Sequence, residues 1–115
     1  IVGTVDGVIA GNGEMFGYAP SMLRHVGIVA MGVRPSFQGM GLGRAILVQI
    51  VALGRIGFGD AHPRIRRLEL CVRADNARAI DLYQTEGFEI EGTKRDFVCL
   101  GEGSFVDDMT MGQLL

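Results

Sequence analysis

The sequence predicts an α+β domain (mixed α/β), in which a largely antiparallel sheet carries a central parallel pair and flanking helices. Three observations point there. Short β-type runs meet at turn signals near both ends of the chain, Asp6-Gly7 and residues 101–104 (GEGS), which makes each end an antiparallel hairpin. A continuous apolar run, residues 25–33 (HVGIVAMGV), reads as a central strand buried on both faces. Between that run and residues 66–72 (RRLELCV) lies a stretch with helical spacing. Strand, helix and strand then form a βαβ unit with a right-handed crossover. At 115 residues, one domain over 1–115 is the expectation.

The elements follow in order. Residues 1–13 (IVGTVDGVIAGNG) hold two apolar runs around Asp6-Gly7, and the second continues to about Tyr18. Residues 18–23 (YAPSML) form a loop before the central run. After the glycine-rich stretch 34–43, Leu42, Ala45, Ile46, Ile50, Leu53 and Ile56 recur at helical spacing over 41–56. Gly57 and Gly59 stop that helix, and residues 60–63 (DAHP) are loop. Residues 66–72 alternate as a strand. Residues 73–88 (RADNARAIDLYQTEGF) read as a capped helix: Asp75 or Asn76 is the N-cap, Ala79, Ile80, Leu82 and Tyr83 are the apolar face, and Gly87 is the stop. The segments FEIEG, TKRDFVCL and FVDDMTM are strands. The order is β-β-β-α-β-α-β-β.

Composition narrows the function. The formal charge of −2 argues against bulk nucleic-acid binding. That sum hides an asymmetry: between Arg24 and Arg78 nine arginines face three acids, Asp60, Glu69 and Asp75, whereas Asp81 to Asp108 holds eight acids against Lys94 and Arg95. Two solvated surfaces would explain this; so would a middle that tolerates phosphate and a C-terminal part that tolerates a cation. Cys71 and Cys99 sit in apolar stretches without CxxC spacing or a nearby His pair, so metal is not expected. They read as buried, reduced thiols of a cytoplasmic protein. No run is apolar for long enough to span a membrane, and no signal peptide is visible.

Residues 34–46, RPSFQGMGLGRAI, place three glycines in five positions just before a helix. The first amides of a helix have no partner within it and lie at the positive end of its dipole. Glycines let a phosphate reach them without meeting a Cβ. Gly39, Gly41 and Gly43 suit that role; Arg44 adds charge in the first turn, and Arg34 is near in sequence. A tight turn that brings the helix close would also use glycines. The stretch lacks the Lys-Ser/Thr of a Walker loop, and its GxGxG spacing departs from the dinucleotide GxGxxG.

A third pattern fits. Residues 33–47 (VRPSFQGMGLGRAIL) resemble the acyl-coenzyme A signature of the GNAT superfamily of N-acetyltransferases, Q/R-x-x-G-x-G/A, here Gln38, Gly41 and Gly43. A second block agrees in order and spacing: Asn76, then Tyr83 seven residues on, then Gly87-Phe88. The tail from Gly87 is similar to that of the L-amino-acid N-acetyltransferases, a small-molecule subgroup. Ribosomal-protein alanine acetyltransferases are more distant kin with the same two blocks. The resemblance starts at the family's second strand. The chain thus reads as a single acetyltransferase domain that lacks the usual N-terminal third, a strand and two helices. Those helices usually wall the acceptor site, so activity of the chain alone is an open matter.

The resemblance implies direct acetyl transfer from acetyl-CoA to a primary amine, most plausibly of a small molecule such as an amino acid. It gives backbone groups of Met31, Gly32 and Val33 to the pantetheine arm and the amides of Gly39, Met40, Gly41, Leu42, Gly43 and Arg44 to the pyrophosphate. Gln38 positions the loop, Asn76 makes a polar contact to the pantetheine or a nearby backbone, and Tyr83 donates to the departing sulfur. Read from the residues alone, Asn76 is also an N-cap and Tyr83 a core tyrosine. The base stays open between Glu69, His25 and water. Cys71, where some relatives carry Glu, reads as a small buried residue. Expected partners are the amine and acetyl-CoA, with no metal, no nucleic acid and no membrane, and with self-association possible. The competing readings are a protein N-terminal or lysine acetyltransferase and a non-catalytic acyl-CoA-binding module or truncated remnant.

Overall fold

The computed structural model describes residues 1–57 and 64–115. Their elements are β1 (Val2–Val5), β2 (Val8–Gly17), β3 (Val26–Val33), α1 (Leu42–Ile56), β4 (Arg67–Arg73), α2 (Ala77–Thr85), β5 (Glu89–Gly101) and β6 (Ser104–Leu114). The six strands form a mixed sheet, mostly antiparallel with one parallel pair, in the order β1-β2-β3-β4-β6-β5. The chain divides into two compact units, residues 1–68 with 114–115, and residues 69–113.

In the first unit, Asp6 and Gly7 both take positive φ, 49° and 77°, the pair of left-handed residues that a tight hairpin turn needs. β2 and β3 then pair antiparallel from Gly11 opposite Val33 to Gly17 opposite Gly27. Helix α1 turns Ile46, Leu47 and Ile50 inward. It lies close to β2 because Gly13 is bare there: a Cβ would collide with Ile46 and come within 2.7 Å of Ile50 Cδ1. Gly57, at φ 76°, closes the helix, and its amide bonds back to Leu53 O. The helix expected over 41–56 starts one residue later, because Gly41 is its left-handed N-cap. The expected stop at Gly59 and the loop 60–63, with Asp60, lie outside the described residues. At the start of β4, the amides of Arg66 and Arg67 donate to His25 O at 2.8 and 3.2 Å. The beginning of β4 is therefore beside the beginning of β3, and the two run parallel.

β3 is not buried along its whole length, contrary to the expectation of a strand buried on both faces. Val26, Gly27 and Val29 are buried, but Ala30 and Gly32 are exposed and Met31 and Val33 only half-buried. The strand is interior for its first half only. Apolar letters alone do not distinguish a buried half from an open one.

In the second unit, β5 and β6 form the last hairpin, with Gly101 opposite Ser104 and Gly103 at φ 71° in the turn. FEIEG and TKRDFVCL are one strand of 13 residues. Its register with β6 is irregular between Lys94 and Val98, where Asp96, at φ 50°, gives its amide to Asp107 Oδ1 at 2.9 Å. The Ala74 amide bonds to Asp107 O at 2.9 Å, which sets β6 antiparallel beside β4. Leu70, Val72, Tyr83, Phe88 and Met111 are the buried hydrophobic residues here, and Asp108 is buried with them.

The two cysteines are exposed, contrary to the expectation of buried thiols. The cause is strand alternation. On β4, Leu68, Leu70 and Val72 take the buried side, and Cys71 shares the other with Arg67, Glu69 and Arg73. Cys99 lies on β5, nearly all of whose residues are exposed.

Candidate functional site

Of the residues expected to hold the coenzyme, those from Met31 to Arg44 fall in the first unit and Asn76 falls in the second, as does Tyr83. After β3 the chain makes one 3₁₀ turn, Pro35–Phe37, and Gly39 and Gly41 follow at φ 79° and 80°. L-residues disfavour that region, so the loop's path itself calls for glycine. Space does not add to that demand: a Cβ at Gly41 would have nothing within 4 Å, which leaves that side of the loop open to a ligand. The first intrahelical bond of α1 runs from the Ala45 amide to Gly41 O at 3.1 Å. The amides of Leu42, Gly43 and Arg44 precede it and point out of the helix start. Met40 and Arg44 are exposed; Leu42 and Gly43 are half-buried.

Gln38 joins this loop to the strand. Its Nε2 donates to Val33 O at 3.1 Å. The phase of β3 follows from its neighbours. The Arg34 amide bonds to Ala10 O at 2.8 Å, so the backbone groups of Ala30, Gly32 and Arg34 turn towards β2. Those of Val29, Met31 and Val33 turn to the opposite edge, as His25 O does. Met31 and Val33 thus share one backbone direction and Gly32 has the other, a distinction that the sequence reading did not draw.

In the second unit, α2 settles the choice of cap. Asn76 Oδ1 accepts from the Ala79 amide at 3.2 Å, and its Nδ2 is the part of the side chain left to reach a ligand. Asp75 instead takes both oxygens to Arg73, at 3.0 and 2.7 Å. That pair is exposed and spans the start of the turn between β4 and α2. The hydrogen bond from Arg73 holds the Asp75 carboxyl below its ordinary range. Tyr83, two turns after Asn76, is only 9 % exposed. Its ring meets Phe88 edge-on at 5.9 Å, and its carbonyl accepts the Phe88 amide at 2.9 Å. Burial raises its phenol above the ordinary 10.0, so at neutral pH it is a proton donor.

The two side chains considered as bases stand differently. His25 is exposed just before β3, at the far end of that strand from the loop: six residues separate it from Met31, roughly 20 Å of extended chain. Glu69 is half-buried within β4 and has a partner. Among the described residues no group of three or more His, Cys, Asp or Glu is placed to hold a metal ion. No helix among them is long and apolar enough to cross a membrane.

The model of the GNAT acetyltransferase family matches residues 1–88, and the chain belongs to that family. It is 29% identical over 114 residues to the L-amino acid N-acetyltransferase AaaT of Escherichia coli K12, across 99% of this chain and 67% of that protein. It is 34% identical over 67 residues to the N-alpha-acetyltransferase RimI of Mycobacterium tuberculosis, across 58% of this chain and 37% of that one. Among solved structures, a GNAT-family acetyltransferase from Streptococcus pneumoniae superposes with a TM-score of 0.88 at 30% identity, over 99% of this chain and 65% of that chain. The chain thus spans about two thirds of the length of the relatives that match it throughout. The family's reaction is acetyl-CoA-dependent N-acetylation.

Proposed function

We propose that this chain is an acetyl-CoA-dependent N-acetyltransferase that moves an acetyl group to the primary amine of a small molecule, an amino acid being the best fit. One observation carries the coenzyme assignment. The loop before α1 adopts left-handed backbone at Gly39 and Gly41 and has open space where a Gly41 side chain would stand. A pyrophosphate fits that cradle on the amides of residues 39–44. The preference for an amino acid rests on the likeness to AaaT, which runs through 99% of this chain; the likeness to RimI covers 58%.

Acetyl-CoA supplies the activated thioester, and the protein's residues do the rest. The odd-numbered backbone groups of β3, Met31 and Val33, pair with the pantetheine arm as an added strand would. Gln38, bonded to Val33 O, keeps the loop in register with that strand. Tyr83 holds its proton at Oη and gives a hydrogen bond to the departing sulfur. Asn76 fixes the start of the helix that carries Tyr83 and offers Nδ2 to the arm. The amine must be neutral to attack, and an ordered water serves as well as Glu69 in taking its proton.

Calorimetric titration with acetyl-CoA, followed by a free-thiol assay over amino acids and peptides, tests this reading. The expected result is saturable binding and faster thiol release with amino acids than with peptides. Binding without release to any amine would make the chain an acyl-CoA-binding module. Absence of binding would remove the coenzyme assignment itself.

A further inference from the structure

Lys94 is the chain's one lysine, and the fold places its ammonium 3.9 Å from the thiol of Cys71. Both residues are exposed. The strand order puts β6 between β5, which carries Lys94, and β4, which carries Cys71, so the lysine stem reaches across a whole strand to the thiol. A ring fixes its far end: Lys94 Nζ lies over Phe97, 4.6 Å from the centroid, the geometry of a cation–π contact. A nucleophilic sulfur and the only side-chain amine are thus held together on one open face, in a member of a family whose substrate is an acyl thioester.

We propose that Cys71 and Lys94 form a self-acetylation relay. The Cys71 thiolate, the reactive form of a thiol, adds to the carbonyl carbon of acetyl-CoA. A new S–C bond forms, the C–S bond to coenzyme A breaks, and the departing thiolate takes up the proton that Cys71 gave up. Lys94 Nζ, having released a proton to water, then attacks the carbonyl of the cysteine thioester. The N–C bond forms, the Cys71 S–C bond breaks, and the sulfur regains a proton. The balance is one acetyl-CoA and one ammonium giving one acetyl-lysine, one free coenzyme A thiol and one proton, with no change of oxidation state. The two groups meet within one molecule, so the second step is effectively unimolecular. The result removes the lysine's charge and its contact with Phe97. The relay needs acetyl-CoA as a reactant but no acceptor turnover, so it stands or falls separately from the proposed transferase activity.

The test is a time course of the purified chain with acetyl-CoA and no acceptor, read by peptide mass spectrometry. Lys94 should become acetylated, and Cys71→Ser should slow this by at least about tenfold. Cys99→Ser should leave the rate unchanged, since Cys99 contacts Gly101 O and lies five residues along β5 from Lys94. In Lys94→Arg the acetyl group should remain on Cys71 as a hydroxylamine-labile thioester. Equal Lys94 acetylation in wild type and Cys71→Ser would overturn the relay, as would Lys94→Arg protein carrying no thioester at Cys71.

Discussion

At the scale of single residues, Tyr83 joins the proposed chemistry to the stability of the fold. Its ring is buried against Phe88, and its phenol stays protonated further into the alkaline range than an ordinary tyrosine because burial penalises the phenolate. If the phenol donates to the leaving sulfur, Tyr83→Phe removes one transition-state donor, a loss that costs about 3 kcal/mol or on the order of a hundredfold in rate. Acetyl-CoA affinity should hardly move. Steady-state thiol release beside calorimetry separates the two quantities; wild-type turnover in the variant would leave Tyr83 as a core residue only. The same residue makes a second prediction, in which the sign is fixed. The folded pKa lies above the unfolded one, so the folded state binds the proton more tightly. Its contribution is complete below the unfolded value near 10.0 and is lost as pH rises through the folded value. Urea unfolding at pH 8 and at pH 11 should show a loss of stability on alkalinisation that is smaller in Tyr83→Phe than in wild type.

At the scale of elements, the loop before α1 invites a substitution whose two consequences must be kept apart. Gly41→Val places a side chain in the open cradle and also forces a β-branched residue to φ 80°. Gly103 supplies the control, since it sits at φ 71° with nothing within 4 Å, in the β5–β6 turn. Gly41→Val and Gly103→Val should each destabilise the fold by about 1–2 kcal/mol. Only Gly41→Val should abolish acetyl-CoA binding in protein that is still folded. Equal affinity in the two variants would remove the phosphate cradle. How far the sequence disclosed these elements follows from what each signal depends on. The Asp6-Gly7 turn, the glycine loop, the Asn76 helix and the final hairpin were legible because each rests on local backbone chemistry that a residue type announces. The half-open state of β3 was not, because Ala30 to Val33 are as apolar as the residues before them and their exposure is set by what packs nearby. Exposure of Cys71 was legible in principle, through its alternation with Leu70 and Val72, but the apolar character of cysteine outweighed that pattern. The contact of Lys94 with Cys71 was out of reach, since it depends on the strand order across β6. So was the irregular register around Asp96, where the Asp96 amide donates to Asp107 Oδ1.

At the scale of the whole molecule, the net charge conceals two opposite fields. Residues 1–68 with 114–115 carry seven arginines against three acids, a formal +4, and residues 69–113 carry four basic residues against ten acids, a formal −6. Their sum is the −2 of the chain. Acetyl-CoA is an anion, and the two scales of charge pull its affinity in opposite directions as salt is added. If the net charge governed the encounter, protein and ligand would repel, and screening would strengthen binding. If the glycine loop binds the pyrophosphate, the relevant field is local: the α1 amides, Arg44 in the first helical turn and the surplus of arginine in the same unit. The screening length is about 10 Å at 0.1 M salt and about 3 Å at 1 M, so added salt removes mainly the attraction from exposed charges beyond direct contact. Affinity for acetyl-CoA should therefore fall as sodium chloride rises from 0.1 to 1 M, and Arg44→Gln should flatten that dependence. Calorimetric titrations of both proteins across the salt series decide it. An affinity that rises with salt would mean that the acidic half of the chain dominates what the ligand meets, and the coenzyme would then have to bind elsewhere than on the amides of residues 39–44.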